Sequence, residues 1–212
     1  SDAETLVKNA DMTLSRAKTQ GRNTIQFYSA DIGERMSDFY FMEKRLFQAL
    51  RNDEYLVNYQ PYCDLSSKKI AGAEALIRWK SGDRGIVTPS RFIPTLEDTG
   101  MIIDVGEWVL RTACGQIGAW TRNGSGFPVS VNLSLIQFRH KYLVGMVADA
   151  IKEHKLDPRH LTLEVTESIC IHDMDLAIAT LKKLKDTPDG DSTLLDNTLV
   201  IYGSPMGNSN VH

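Results

Sequence analysis

From Ile70 to Lys185 the apolar residues of this chain alternate between two periods, and no other feature constrains the fold as much. Residues 70–79, 128–134 and 161–166 carry short apolar runs of strand character. Residues 89–120 (broken near Thr99 and Gly100), 137–154 and 173–185 carry apolar side chains at helical spacing. Strands and helices taking turns predict βα units and a largely parallel sheet. Ahead of them, residues 55–62 read as a strand joined to 70–79 by a polar turn over 64–69. Further upstream the pattern predicts a helix over 2–20, with Leu6, Ala10, Leu14 and Ala17 on one stripe. A short strand over 24–28 and a helix over 31–51, carrying Phe39, Met42, Leu46, Phe47 and Leu50, follow it.

Composition excludes several function classes. At 42% hydrophobic and 24% charged residues, the 212-residue chain has an ordinary globular balance, with room for one large domain or two small ones. A formal net charge of −3 gives no electrostatic reason to expect a nucleic acid polymer or an anionic membrane as partner. Cys63, Cys114 and Cys170 form no C-x-x-C pair and read as reduced thiols, so a cytoplasmic setting is expected. No apolar run approaches the roughly 20 residues of a membrane span. The first residue is Ser1, so the chain is expected to start inside a longer polypeptide.

Lining the strands up by phase isolates a candidate site. One phase is apolar: Val57 and Tyr59; Ala73, Ala75 and Ile77; Val129, Val131 and Leu133; Leu161, Leu163 and Val165. The other holds Asn58 and Gln60; Glu74 and Arg78; Ser130, Asn132 and Ser134; Thr162, Glu164 and Thr166. In a parallel sheet neither face is plainly solvent, and unpaired buried charge costs several kcal/mol. A solvated face is the alternative, and it fits poorly because the polar phase contains no lysine. Glu74, Asn132 and Glu164 are expected near the C-terminal ends of their strands, where α/β barrels carry active sites. Two carboxylates and an amide suit Mg²⁺ or Mn²⁺ better than zinc, and Arg78 can fork onto a phosphate. Such a set suits metal-assisted phosphodiester hydrolysis. Spacing alone leaves open a purely structural Glu–Arg pair.

Residues 44–185 resemble the first half of an EAL domain, the cyclic-di-GMP phosphodiesterase family. The matching stretches are Tyr59-Gln60-Pro61, Glu74-Ala75-Leu76 with Arg78-Trp79, Phe92-Ile93-Pro94, Val131-Asn132-Leu133-Ser134 and Leu163-Glu164-Val165-Thr166-Glu167-Ser168. The resemblance implies a modified TIM barrel with an antiparallel first strand. It also implies Glu74, Asn132 and Glu164 as ligands of Mg²⁺ or Mn²⁺, with Glu74, Glu164 and Glu167 in catalytic positions. Gln60 and Arg78 would contact the dinucleotide, and Glu167 would hold a catalytic loop. Domains of this family often pair, so a homodimer is an expected state, although the surface used lies partly in the second half.

Residues 2–23 are similar to the last helix and strand of a GGDEF, or diguanylate cyclase, domain through Asp2-Ala3-Glu4, Ala10-Asp11, Ala17-Lys18 and Gly21-Arg22-Asn23. The cyclase loop itself is absent, so cyclase activity is not expected, and Lys18 and Arg22 read best as solvated cations at a helix end. After Lys185 the EAL pattern, which would continue into D-D-F-G-T-G-Y-S, stops. The tail TPDGDSTLLDNTLVIYGSPMGNSNVH instead weakly resembles a segment of an uncharacterised exported bacterial family, as though unrelated sequences were joined. It has turn chemistry over 187–190 and one strand over 198–202. An eight-unit barrel takes about 250 residues, so roughly five units fit here, and a partial barrel is expected to leave a sheet edge and much of the polar phase uncovered.

The expected architecture is an incomplete TIM-like α/β barrel of the EAL type. Its organisation is a GGDEF remnant over 1–30, a linker helix over 31–43, half an EAL domain over 44–186 and a foreign tail over 187–212. The expected function is cyclic-di-GMP signalling by a phosphodiesterase that makes pGpG, with little activity in this chain. The alternative is a catalytically dead module acting as a cyclic-di-GMP receptor or protein-interaction domain.

Overall fold

The computed structural model describes residues 3–19, 25, 27–28, 30–166, 174–189, 192–194 and 199–203. The chain divides into two compact units, Ser1–Gln48 and Ala49–His212.

The first unit is helical. Helix α1 (Ala3–Thr19) and helix α2 (Ala30–Ala49, ending in the second unit) match the predicted spans closely. The stripe expected to bury α1 is instead open: Leu6 and Leu14 are 59% and 52% exposed. A helix buries its stripe only against another element, and on α1 it is Thr13, with Ala17 half-buried, rather than the two leucines that is covered. On α2, Met42 and Leu46 are buried as the spacing predicts, whereas Phe47 points outward. The strand expected over 24–28 is not formed at Ile25, Phe27 and Tyr28, and its other positions lie outside the described residues.

The second unit is built on a sheet of β1 (Tyr55–Cys63), β2 (Ile70–Ser81), β3 (Gly85–Val87), β4 (Val129–Leu133), β5 (Leu161–Thr166) and β8 (Leu199–Gly203). Its order is β1-β2-β4-β5-β8, with β3 pairing to β2. β1 and β3 run antiparallel to β2, and β4, β5 and β8 run parallel to their neighbours. Between the strands lie α3 (Pro89–Thr99), α4 (Ile102–Arg122), α5 (Leu135–Phe138), α6 (Leu143–His154) and α7 (Met174–Asp186). The predicted break in the first helical region falls at Gly100, whose φ of 77° lets it cap α3 by donating its N–H to the Glu97 carbonyl. The helix expected over 137–154 is two helices, because Ser134 starts α5 and residues 139–142 interrupt the run before α6.

The apolar phase packs as anticipated. Ala75, Val129, Val131, Leu133, Leu161, Leu163 and Val165 join residues of α4, α6 and α7 in one buried cluster. Burying a leucine or valine in such a cluster contributes roughly 1.5–3 kcal/mol. Trp79 is fully buried and donates its indole N–H to the Glu54 carboxylate at 2.9 Å. Trp120 meets Tyr59 edge to face at 4.9 Å, and Trp108 lies 6.0 Å from the Tyr55 ring. The tryptophans thus fill space between β1, β2 and the helices. Arg111 of α4 pairs with Glu107 one turn away and with Glu153 of α6, tying two helices that cover the sheet.

The tail also enters the fold. A two-strand ladder of β6 (Pro188–Asp189) and β7 (Ser192–Thr193) occupies the expected turn, and Leu194 after it is buried in the main cluster. The predicted tail strand forms as β8 and pairs along β5 from Thr162↔Leu199 to Thr166↔Gly203.

Candidate active site

The polar phase forms one face of the sheet, as the alternation requires. Glu74 pairs in register with Gln60 of β1 on one side and Ser130 of β4 on the other. Asn132 of β4 pairs with Glu164 of β5. Neighbouring strands lie about 4.8 Å apart, so Asn132 and Glu164 stand side by side. One bond joins β4 to β2: the Asn132 amide donates from Nδ2 to Glu74 Oε1 at 2.7 Å. Side chains 58 positions apart in sequence therefore meet, as the phase analysis anticipated.

The face is closed at depth and open at the rim. Ser130 and Thr162 are buried, whereas Glu74 and Glu164 are half-buried and Asn132 is exposed. The expectation that the polar phase would be largely uncovered is corrected for this deeper pair. β4 and β5 are interior strands flanked on both sides, which hides small hydroxyl side chains. A second correction concerns Glu74. Asn132 and Glu164 lie near the C-terminal ends of their strands, but Glu74 lies in the first half of β2, because β2 runs on past β4 to pair with β1 and β3. Glu74 therefore reaches the shared level from the middle of a long strand.

The remaining candidates divide. Gln60 is exposed beside Glu74. Arg78 is half-buried on the Glu74 face, two turns of the pleat further on, with Nη1 donating to the Ile77 carbonyl at 2.9 Å. Glu74 is thus bonded to Asn132 rather than held in the structural Glu–Arg pair that spacing left open. Glu167 and Arg22, and the side chain of Lys18, lie outside the described residues. Among the described residues no group of three or more His, Cys, Asp and Glu side chains is placed to hold a metal. The donor set here has two carboxylates completed by an amide. Two half-buried carboxylates and an exposed amide on three adjacent strands are oxygen donors that fit a hard divalent cation. Ser134, grouped with the polar face in the phase reading, belongs to a helix cap: its hydroxyl accepts from the Gln137 N–H, and Gln137 Oε1 accepts from the Ser134 N–H. The S-x-x-Q spacing that signals such a box was present in the sequence, and Gln137 was missed with it.

The EAL domain family matches residues 43–187, which is most of the chain. The chain belongs to the EAL domain family. A bifunctional diguanylate cyclase/cyclic di-GMP phosphodiesterase, MucR of Pseudomonas aeruginosa, is 38% identical over 180 residues, covering 84% of this chain and 26% of that protein. The signaling protein YkoW of Bacillus subtilis is 34% identical over 185 residues, covering 87% and 23% respectively. The chain thus spans about a quarter of the length of these curated relatives. Among solved structures, the PaMucR phosphodiesterase in complex with c-di-GMP has a TM-score of 0.65 at 40% identity, covering 68% of this chain and 58% of that one. The EAL enzyme Bd1971, bound to cAMP and cyclic-di-GMP, has a TM-score of 0.66 at 30% identity, covering 86% and 48%. The EAL-type α/β fold, with its antiparallel first strand, is the fold of this chain.

Proposed function

We propose that this chain is part of a cyclic-di-GMP signalling protein and carries one half of an EAL phosphodiesterase site. In this reading residues 1–30 are a GGDEF remnant, 31–43 a linker helix, 44–186 the first part of an incomplete barrel and 187–212 a foreign tail. Glu74, Asn132 and Glu164 would hold one Mg²⁺ or Mn²⁺. Gln60 and Arg78 would contact the dinucleotide, and Glu167 would orient the adjoining loop. The observation that carries the reading is the 2.7 Å bond from Asn132 to Glu74, with Glu164 in register beside Asn132. When bound, the cation supplies an activated water and neutralises charge on the phosphodiester. The relatives' names and the c-di-GMP complexes supply the substrate class. The GGDEF remnant draws support from the printed name of MucR, a bifunctional diguanylate cyclase/cyclic di-GMP phosphodiesterase.

Turnover should be low. The position on β8 in register with Glu164 is Ile201, so the strand beside the cation ligands brings an aliphatic residue rather than a carboxylate. A second cation would lack its donors there, and in-line attack in two-metal sites uses both. Incubating the chain with cyclic di-GMP and Mn²⁺ and following pGpG tests this reading. No pGpG above a metal-free control is expected, and steady multiple turnover would refute it. Calorimetry with the same dinucleotide separates a receptor, which binds without turnover, from a fragment that does neither. No helix among the described residues is long and apolar enough to cross a membrane.

A further inference from the structure

We propose that the capping box of α5 is the positioning device for Asn132, acting through the backbone at the end of β4; the inference rests on the reading of Asn132 as a cation ligand. Ser134 is two residues beyond Asn132 and turns the chain from strand to helix in an extended conformation (φ −78°, ψ 161°). Both bonds of the box form, at 3.2 Å to the Ser134 hydroxyl and 3.1 Å from the Ser134 N–H, so that turn is fixed from two directions. Gln137 is buried at 6% exposure, which removes the alternative rotamers that would let the box open. Gly106 of α4 makes room for it: a Cβ there would lie 1.9 Å from Gln137 Nε2 and 2.7 Å from its Cδ. Helix α4, packed against α5, thus clamps Gln137, Gln137 clamps Ser134, and Ser134 fixes the backbone that presents the Asn132 amide to Glu74. Asn132 is the fourth residue of the five-residue β4 and lies beyond the stretch that β2 pairs, Val129–Val131, so the ladder holds this end of the strand from the β5 side alone and the box supplies a further brace. Groups that orient ligands without touching the metal typically govern affinity by 10–100-fold.

Mn²⁺ binding measured by electron paramagnetic resonance titration of the full chain, with no substrate present, tests the device. Ser134→Ala and Gln137→Leu are expected to weaken Mn²⁺ binding roughly tenfold. Ser134→Thr keeps a capping hydroxyl and should stay within about twofold of the parent. Val147→Ala, buried in α6 away from the box, controls for lost stability and should also leave affinity unchanged. If Gln137→Leu fails to fold, Ser134→Ala carries the test, since it removes one hydroxyl only. Unchanged affinity in Ser134→Ala and Gln137→Leu, alongside a loss in Asn132→Ala, would overturn this inference alone. Failure of the parent chain to bind Mn²⁺, or indifference to Asn132→Ala, would overturn the cation-site reading and this inference with it.

Discussion

The Asn132 amide faces Glu74 with its nitrogen, yet only its oxygen can ligate a cation. Cation uptake by this set therefore uses the amide oxygen, the atom that is not engaged with Glu74. Asn132→Asp makes the consequence measurable. Without metal it replaces a hydrogen bond by two carboxylates facing each other, a repulsive arrangement; with metal it adds a third anionic donor. Thermal melts should show the variant less stable than the parent in EDTA and more strongly stabilised by Mn²⁺, by RT ln(1 + [Mn²⁺]/Kd). Equal melting temperatures in EDTA would mean that the bond to Glu74 contributes nothing. The same side chain shows what the sequence made legible. Its phase followed from alternation alone, whereas the register of its strand and its hydrogen-bond partner depended on how far β2 overshoots β4. A pattern of apolar residues does not encode that length.

At the scale of elements, β5 is delivered to the site by a 3₁₀ turn, Pro158–His160, capped by Asp157. The Asp157 carboxylate accepts from the Arg159 N–H at 3.0 Å and from the Arg159 guanidinium at 2.6 Å. That side-chain bond, ahead of the backbone one, holds its carboxyl below the ordinary carboxylate range. A depressed carboxyl contributes stability above the unfolded value near 3.9 and loses it as pH falls through the folded value. Asn caps as well as Asp, so Asp157→Asn loses only the exposed ion pair and should cost about 0.5 kcal/mol at pH 7, with the difference from the parent shrinking below pH 4. Urea unfolding at both pH values checks this, and a gap that widened in acid would contradict it. The legible elements were those whose period ran unbroken, such as β5, whose predicted and observed spans coincide. The α5–α6 break was hidden because Phe138, Leu143 and Val147 keep an apolar stripe across it. β3, three residues long, is too short to show any period. Nor could the α1 stripe reveal by itself whether anything covers it.

Taken as a molecule, the chain carries family sequence to residue 187 and then ends its sheet with a strand the family match does not include. β8 lies along β5, whose edge would otherwise present unpaired backbone groups. Deleting residues 195–212 should thus shift the chain from its parent size toward larger species in light scattering. An unchanged size distribution would show that β8 does not protect the edge. The tail's covering role was only half legible: its strand period was readable, but neither the pairing with β5 nor the burial of Leu194 could be foreseen in a segment beyond the EAL match. The claim on which the rest depends is that Glu74, Asn132 and Glu164 serve one cation, and calorimetric titration of Mn²⁺ into the parent and the three single alanine variants tests it directly. The account predicts one site in the parent and a loss of binding of tenfold or more in each variant, whereas parent-like binding in all three would contradict it.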